Sequence, residues 1–295
     1  MNRFFLLFLV TAGAGLAQPS ATMRPELLAT VESNASFSSD EDLARGSAVL
    51  GQVGVRQYGV SVAARRPWNE STTLIFGAAV NVHDLELSSP LLPLPEDLSE
   101  FSLNLGVQRR FDARWSGAAY LRPGFYGDFE EGLSSDSFNA PLLVMAMFAQ
   151  SRELVWSFGL NVNGFSDNPV LPIAGVRWQF APQWLFSVGF PRTGFAYELN
   201  DRLTLRAGAS FSGGSFRLSR NLGVPAPGIA RLSRTFLDFR EVRVGVGADY
   251  AFTEQTSLSL DVGAVTDRKF DYFDKNYRLD GDGGLFVALA LKGSF

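Results

Sequence analysis

His83 is the only histidine of the chain and the residue best suited to acid–base chemistry. Ser88 and Ser89 follow it closely, and a histidine beside a serine can activate the hydroxyl as a nucleophile. Such catalysis also needs a third group that orients the imidazole, and the sequence indicates none. We therefore expect a hydrogen-bonded, non-catalytic histidine and no enzyme, with a hydrolase that uses His83 as the less favoured alternative.

Other site chemistry is weakly supported. The densest group of oxygen ligands is the run 280–283, preceded by Asp271, Asp274 and Asn276. Calcium favours such loops, but the ladder of ligands that ends in a bidentate glutamate is missing, so we expect a solvated turn and no metal site. The chain has no cysteine and no glycine-rich phosphate loop, so we expect no cofactor. A formal net charge of −4 argues against a nucleic-acid partner.

The elements that would carry the charged residues are predicted to be strands. Apolar residues alternate with glycine, serine, asparagine and scattered charges in the segments 101–108, 154–163, 203–211, 242–250 and 257–264. A polar face of this kind suits the inside of a barrel better than the solvated face of a soluble sandwich.

The predicted lumen-lining residues are the charges on these polar faces. They would either form a selectivity lining for passing solutes or pair with each other and plug a narrow barrel, and both interpretations remain open. The candidates are Arg56, Arg177, Glu198, Arg206, Arg243, Asp249 and Asp261.

The predicted turns fall into two kinds. Short turns, often flanked by aromatic residues, lie near positions 69, 113, 151, 182, 201 and 254, whereas long polar or proline-rich connections cover 88–100, 128–139, 219–234 and 274–284. Trp68, Trp115 and Trp184 flank short turns, where they would form an interfacial aromatic girdle together with Phe295. Aromatic residues that only staple hairpins are the alternative. Six short turns plus the chain ends predict fourteen strands, or twelve if the first strand or the hairpin 184–200 does not form.

The two ends of the chain complete this prediction. Residues 1–17 carry Arg3, a short apolar run and small residues before a cleavage position, which is typical of a secretory signal peptide. The apolar run is shorter than the roughly 20 residues of a membrane-spanning helix. Residues 18–295 then form one barrel domain, and its last strand alternates up to the terminal Phe295.

With these features the chain resembles bacterial outer-membrane β-barrel proteins. The terminal residues Val287, Leu289, Leu291, Gly293 and Phe295 are similar to the signal that such proteins present to the barrel-assembly machinery. The resemblance implies an all-β, transmembrane, antiparallel up-and-down barrel in the outer membrane, exported through a cleaved signal peptide. It also implies contact with outer-membrane lipid and with the assembly machinery.

Three functions follow, in decreasing order of preference. The first is a porin-like passive channel for small solutes. The second is a structural or adhesive barrel that binds partners through the loops 88–100 and 219–234. The third is the outer-membrane hydrolase that would use His83.

Overall fold

The computed structural model describes residues 27–224, 229–281 and 283–295. The signal peptide predicted for residues 1–17 lies outside the described residues, as does the predicted start of the barrel domain at residue 18. In the part of the chain that is described, no helix is long and apolar enough to cross a membrane.

The described chain is built from strands, with two single-turn 3-10 helices at Ser135–Ser137 and Phe273–Lys275. The strand segments are β1 (Leu28–Arg45), β2 (Ala48–Asn69), β3 (Thr72–Leu87), β4 (Asp97–Arg110), β5 (Trp115–Leu121), β6 (Gly124–Gly127), β7 (Phe138–Asn139), β8 (Leu142–Ala149), β9 (Leu154–Val162), β10 (Val170–Ala181), β11 (Trp184–Val188), β12 (Arg192–Asn200), β13 (Leu203–Leu218), β14 (Thr235–Ala251), β15 (Thr256–Tyr272), β16 (Tyr277–Gly281) and β17 (Gly284–Ser294).

These segments make a closed antiparallel barrel of fourteen crossings. Three crossings consist of two segments each, namely β5 with β6, β7 with β8, and β16 with β17. The first and last strands close the ring, with the register running from Thr30 opposite Ser294 to Ser38 opposite Phe286. Closure satisfies the backbone groups that an edge strand would leave unpaired. The predicted all-β barrel of about fourteen strands is confirmed.

The two ends of the barrel differ, as the sequence predicts. Short turns at 70–71, 111–114, 150–153, 182–183, 201–202 and 252–255 lie at one end, together with both ends of the described barrel. We call this the short-turn end. The opposite, long-loop end carries the connections 88–96, 128–137, 163–169 and the described residues of 219–234. The predicted loop 274–284 is corrected, because its residues Tyr277–Gly281 form β16, which pairs with β15 and β1.

An apolar band surrounds the barrel, and it ends below the long-loop end. On β2 the outward residues Val62, Val60 and Tyr58 are about half exposed, and on β14 Val246 and Val244 occupy the same face. Charged residues replace them farther along the outward rows of β2, β3 and β14, namely Arg56, Asp84, Glu86, Asp238 and Arg240. A band of apolar residues that gives way to charges marks the limit of the hydrocarbon layer.

Nine strand segments continue beyond the band and form what we call the extension. It consists of the upper parts of β13–β16, β1–β4 and β6. The extension closes on itself because Gly127 of β6 pairs in parallel with Arg217 of β13. The Asp128 carboxylate strengthens this seam by accepting hydrogen bonds from the backbone N–H of Ser219 at 3.1 Å and of Arg220 at 2.9 Å.

The extension has an apolar core. Loop 88–96 contributes Leu92 and Leu94, and loop 219–234 contributes Leu232, which is fully buried. The Tyr272 hydroxyl donates a hydrogen bond to the carbonyl of Pro93 and ties the first loop to β15. Loop 163–169 contributes Phe165. The strands supply the other core residues, including Leu43, Val53, Val55, Leu85, Leu98, Phe216, Leu218, Leu237, Phe239, Phe270, Tyr277 and Leu279. Apolar packing therefore closes the barrel axis at the long-loop end.

Candidate functional site

Beneath the apolar core, buried charges form a layer across the barrel. The Arg268 side chain has no solvent exposure, and its guanidinium donates to Glu241 Oε1 at 2.8 Å, to Ser38 Oγ at 2.6 Å and to the Val53 carbonyl at 2.6 Å. Arg243 donates to Glu241 Oε2 at 2.8 Å. These contacts join β14 and β15 to β1 and β2 across the interior. With Glu41 Oε1 at 3.5 Å from Arg268, two arginines balance two glutamates, as burial of charge requires.

Closer to the short-turn end, four charged residues form what we call the ion chain. Asp261 contacts Arg192 at 3.2 Å and Arg206 at 3.1 Å, and Arg206 contacts Asp249 at 2.7 Å. The register places Gly247 between Arg206 and Asp261. A Cβ atom at Gly247 would overlap Asp261 Oδ1, so the glycine leaves room for the ion pair. Because the Asp249 side chain is 36% exposed, water reaches the chain.

The opposite wall of the lumen is apolar. Ile75, Tyr120 and Leu143 form a buried cluster on β3, β5 and β8 with Ala118, Met145 and Met147. Sequence reasoning missed this wall, which it expected to be glycine- and serine-rich. The available signal is β8, whose residues are apolar on both faces. The lumen thus has one charged wall and one apolar wall.

Six of the seven predicted lumen residues lie on inward-facing rows. Arg243 belongs to the buried charge layer, and Arg206, Asp249 and Asp261 belong to the ion chain. Arg177 and Glu198 lie on the inward rows of β10 and β12, on which their neighbours Trp178 and Leu199 point outward and are exposed. Whether these six residues act on a passing solute stays a prediction.

Arg56 is a correction to the predicted lumen lining. It lies on the outer face of β2, next to the buried Val55 and Gln57. Its guanidinium pairs with Glu86 and lies 3.9 Å from Asp84 on β3. The physical reason is that Arg56 lies in the extension, beyond the apolar band. There the outer face of the strand meets water and carries charges, while the inner face packs into the apolar core.

The four predicted girdle residues lie at the short-turn end. The exposed fractions are 69% for Trp68, 42% for Trp115, 40% for Trp184 and 74% for Phe295. Trp115 packs on Phe148 with 4.9 Å between ring centroids, so the girdle and the staple interpretations are compatible. Their position in the membrane interface stays a prediction.

The turn before Trp115 is fixed by a side-chain cap. Asp112 accepts hydrogen bonds from the backbone N–H of Arg114 at 2.7 Å and of Trp115 at 2.8 Å. These donors stabilise the carboxylate and hold the pKa of Asp112 below its usual value. The cap sets the direction in which β5 leaves the turn, and with it the position of the Trp115 ring.

A side cavity of about 50 Å³ lies below the extension, against β8 and β9. Its charged pair is Glu100 with Arg122, and Glu100 also accepts from Ser102 Oγ at 2.7 Å and from Asn81 Nδ2 at 3.2 Å. The other lining residues are His83, Tyr126, Pro141, Leu143, Asn161, Asn163, Gly213, Gly214, Ser215 and Phe216. The volume is enough for one or two water molecules.

His83 forms part of this cavity and faces across the barrel. Its ring lies edge-on to Phe216 at 5.6 Å and to Phe239 at 5.5 Å between centroids. The hydroxyls of Ser88 and Ser89 accept hydrogen bonds from the backbone N–H of Gln52 and Leu91, respectively. Both serines therefore hold the loop 88–96 in shape.

The barrel wall beside the cavity has a gap, which we call the window. β11 ends at Val188 opposite Val176 of β10, and β12 begins at Arg192 opposite Ser210 of β13. Above this short hairpin, the segments 170–175 of β10 and 211–218 of β13 face each other, with no strand of the described chain between them.

The loop 163–169 lies across the window. Asn163 Nδ2 donates to Ser215 Oγ at 3.3 Å. The Asp238 carboxylate accepts from Ser166 Oγ at 3.2 Å and from the backbone N–H of Asp167 at 2.9 Å. Phe165 packs on Phe236 with ring centroids 5.1 Å apart. One carboxylate and one aromatic pair therefore fasten residues 165–167 of the loop to β14.

Two solved structures support the fold. An outer membrane channel from Pseudomonas putida F1 is 12% identical, with coverage of 95% of this chain and 100% of that chain and a TM-score of 0.51. A deltaS2S3 mutant of the monoaromatic hydrocarbon channel TodX, a protein of Pseudomonas putida, is also 12% identical. The match covers 92% of this chain and 91% of that chain, with a TM-score of 0.50. At this identity the likeness concerns the fold alone, which is that of outer-membrane β-barrel proteins.

Sequence comparison gives one match. No curated protein matches the chain. The family model described as "Domain of unknown function (DUF6268)" matches residues 74–279. This region runs from the start of β3 to the end of β16 and contains the ion chain, the side cavity and the window. The chain therefore belongs to the DUF6268 family.

Proposed function

We propose that the protein is an outer-membrane channel that passes small solutes passively, without catalysis. The observation that carries this proposal is the contrast between the dry extension and the wet lumen below it. In the extension, inward side chains such as Leu237 and Leu279 have no exposure, whereas at the ion chain Asp249 remains partly exposed to water. A barrel needed only as a rigid support for loops gains nothing from hydrated charges in its lumen.

The outer surface supports placement in the outer membrane. The four outward apolar residues of β17 are all exposed, namely Leu285, Val287, Leu289 and Leu291. An exposed apolar row of this kind is expected to contact lipid and not water. The same strand closes the barrel against β1 and would be the part that contacts the barrel-assembly machinery.

The adhesive alternative is less well supported. It needs the loops 88–96 and 219–234 to present binding residues to the outside. Leu92, Leu94 and Leu232 of these loops instead point into the core of the extension and are at most 4% exposed. A loop whose apolar residues hold the fold together has fewer left for a partner.

Conductance of the purified protein tests the channel function. The protein would be refolded in detergent, and its fold checked by the shift in gel migration between heated and unheated samples. We expect single-channel currents in planar bilayers and swelling of proteoliposomes in small sugars. The Asp238→Ala variant is measured as well, because it lacks the carboxylate that fastens loop 163–169 to β14. If both the wild type and this variant are folded and give neither signal, the proposal is contradicted.

A further inference from the structure

We propose that solutes reach the lumen from outside through the window, beneath loop 163–169, and that the side cavity behind it selects small neutral solutes with hydrogen-bonding groups. This inference rests on the proposed channel function. Solutes then enter through the barrel wall and not along the barrel axis, and loop 163–169 acts as the lid of this entrance.

The axis is closed twice. The core of the extension contains buried aromatic or aliphatic side chains on all of its strands, and Leu92 and Leu232 pack into it from the loops. The buried layer around Arg268 and Glu241 lies directly below, and its two arginines balance its two glutamates. Opening this route would expose both layers to water at once. The window needs the displacement of a single loop, which withdraws one buried ring, Phe165, from the core.

The window opens at the outer edge of the apolar band. On β13 the last apolar residue of the outward row is Phe211, and Gly213, Ser215 and Arg217 follow. On β14 Val242 is followed by Arg240 and Asp238. The frame of the window is therefore polar on this side, so it faces water and lipid headgroups.

The contacts of loop 163–169 suit a lid. Its hydrogen bonds to Ser215 and Asp238 are partly buried or exposed, so protein–water hydrogen bonds can replace them when the loop moves. Phe165 is the one side chain of this loop in the buried core of the extension, whereas three leucines anchor the loops 88–96 and 219–234 there. With the lid in place, the cavity of about 50 Å³ holds water but no larger solute. Passage of a solute thus requires the loop to move.

The lining of the cavity favours neutral solutes. Asn161 offers an amide donor and acceptor, whereas Glu100 and Arg122 neutralise each other. Leu143 adds apolar surface. An organic ion would lose its hydration there and gain no unpaired counter-charge in return, while a neutral hydroxyl compound can exchange its hydrogen bonds.

A reversible cross-link tests the lid. Because the chain has no cysteine, the double variant Ser166→Cys/Asp238→Cys can be joined specifically with a short bis-methanethiosulfonate reagent and released with a reductant. The single variants Ser166→Cys and Asp238→Cys, treated identically, are the matched controls. Proteoliposome swelling in arabinose and in its carboxylate counterpart arabinonate measures passage, and mass spectrometry confirms the cross-link.

We expect the cross-link to reduce arabinose passage at least tenfold, with recovery on reduction. In each single variant, passage should be the same before and after treatment with the reagent. The uncross-linked Asp238→Ala variant should pass arabinose several-fold faster than the wild type, whereas Asp84→Ala on the outer wall of the extension should not. In all conducting variants arabinose should pass faster than arabinonate.

The outcomes separate the two proposals. If the wild type conducts but the cross-linked protein conducts equally well, the window is not the entrance and the channel function stands. Equal passage of arabinose and arabinonate overturns the neutral selectivity. If wild type and Asp238→Ala are both folded and silent, the channel function fails and the lid with it.

Discussion

Replacement of Asp261 by asparagine should change the ion selectivity of the lumen. Asp261 bridges Arg192 at 3.2 Å and Arg206 at 3.1 Å, and Asp249 balances the remaining charge of the ion chain. The four residues therefore sum to zero charge. Asp261→Asn keeps the size of the side chain but leaves the lumen with one uncompensated positive charge at the level of Gly247.

The size of the effect follows from Coulomb's law. A monovalent ion in water that passes about 5 Å from the lost charge feels a difference of about 0.8 kcal/mol, which screening at about 0.1 M salt reduces to about 0.5 kcal/mol. Cations then become about twofold less favoured and anions about twofold more favoured. The permeability ratio of K⁺ to Cl⁻ should fall about fivefold.

The reversal potential in a KCl gradient across a planar bilayer measures this ratio. Asp84→Asn is the matched control, because it removes the same charge from the outer wall of the extension, away from the lumen. At about 1 M salt, where the Debye length is about 3 Å, the shift should largely disappear. An Asp261→Asn channel that conducts and has the wild-type reversal potential at low salt would refute the placement of Asp261 along the permeation path.

Three further changes probe the architecture. Gly247→Val places a side chain against Asp261 Oδ1 and the Leu260 carbonyl; we expect about 1–3 kcal/mol lower stability by urea unfolding in detergent, and little change for the outward-facing Ala248→Val. Leu232→Ala removes a fully buried side chain from the extension, at a cost of about 2–5 kcal/mol in stability. Protease should therefore cleave loop 219–234 faster in this variant than in the control Leu91→Ala, whose side chain is exposed. Equal cleavage rates would contradict the assigned core. Deletion of Phe295 removes its two backbone hydrogen bonds with Ala29; outer-membrane fractions should contain less of the folded, heat-modifiable form than fractions from Phe252→Ala cells.

Local features of the fold were predictable because their causes are local. All six short turns lie where the sequence predicts them, since turn residues and flanking aromatics act over a few positions. The hairpin 184–200 forms, with its bend at 189–191. The alternation also placed Arg206, Asp249 and Asp261 on one face of neighbouring strands.

The features that control access were not predictable because they depend on distant pairing. The seam between Gly127 and Arg217 joins residues ninety positions apart, and no local pattern specifies it. The window is a consequence of that seam and of the short β11–β12 hairpin. The leucines at 92, 94 and 232 lie in segments whose proline and polar residues indicate loops, and only the folded chain shows that these loops turn inward.

The error at Arg56 has a general cause, which is an inversion of polarity along single strands. On the inner face of β2, Ser61 and Gln57 lie within the band and Val55 and Val53 lie above it, while the outer face changes from Val60 and Tyr58 to Arg56.

β14 changes in the same way. Its inner face passes from Arg243 and Glu241 to Phe239 and Leu237, and its outer face passes from Val244 to Arg240 and Asp238. Lipid outside and water inside require one pattern, and water outside with a packed core inside requires the opposite pattern. The alternation continues with its period of two, but the apolar face changes from the outer to the inner side of the barrel where the strand leaves the bilayer. A strand longer than the roughly 9–11 residues of one crossing should therefore be divided at the point of inversion before any charge is assigned to the lumen.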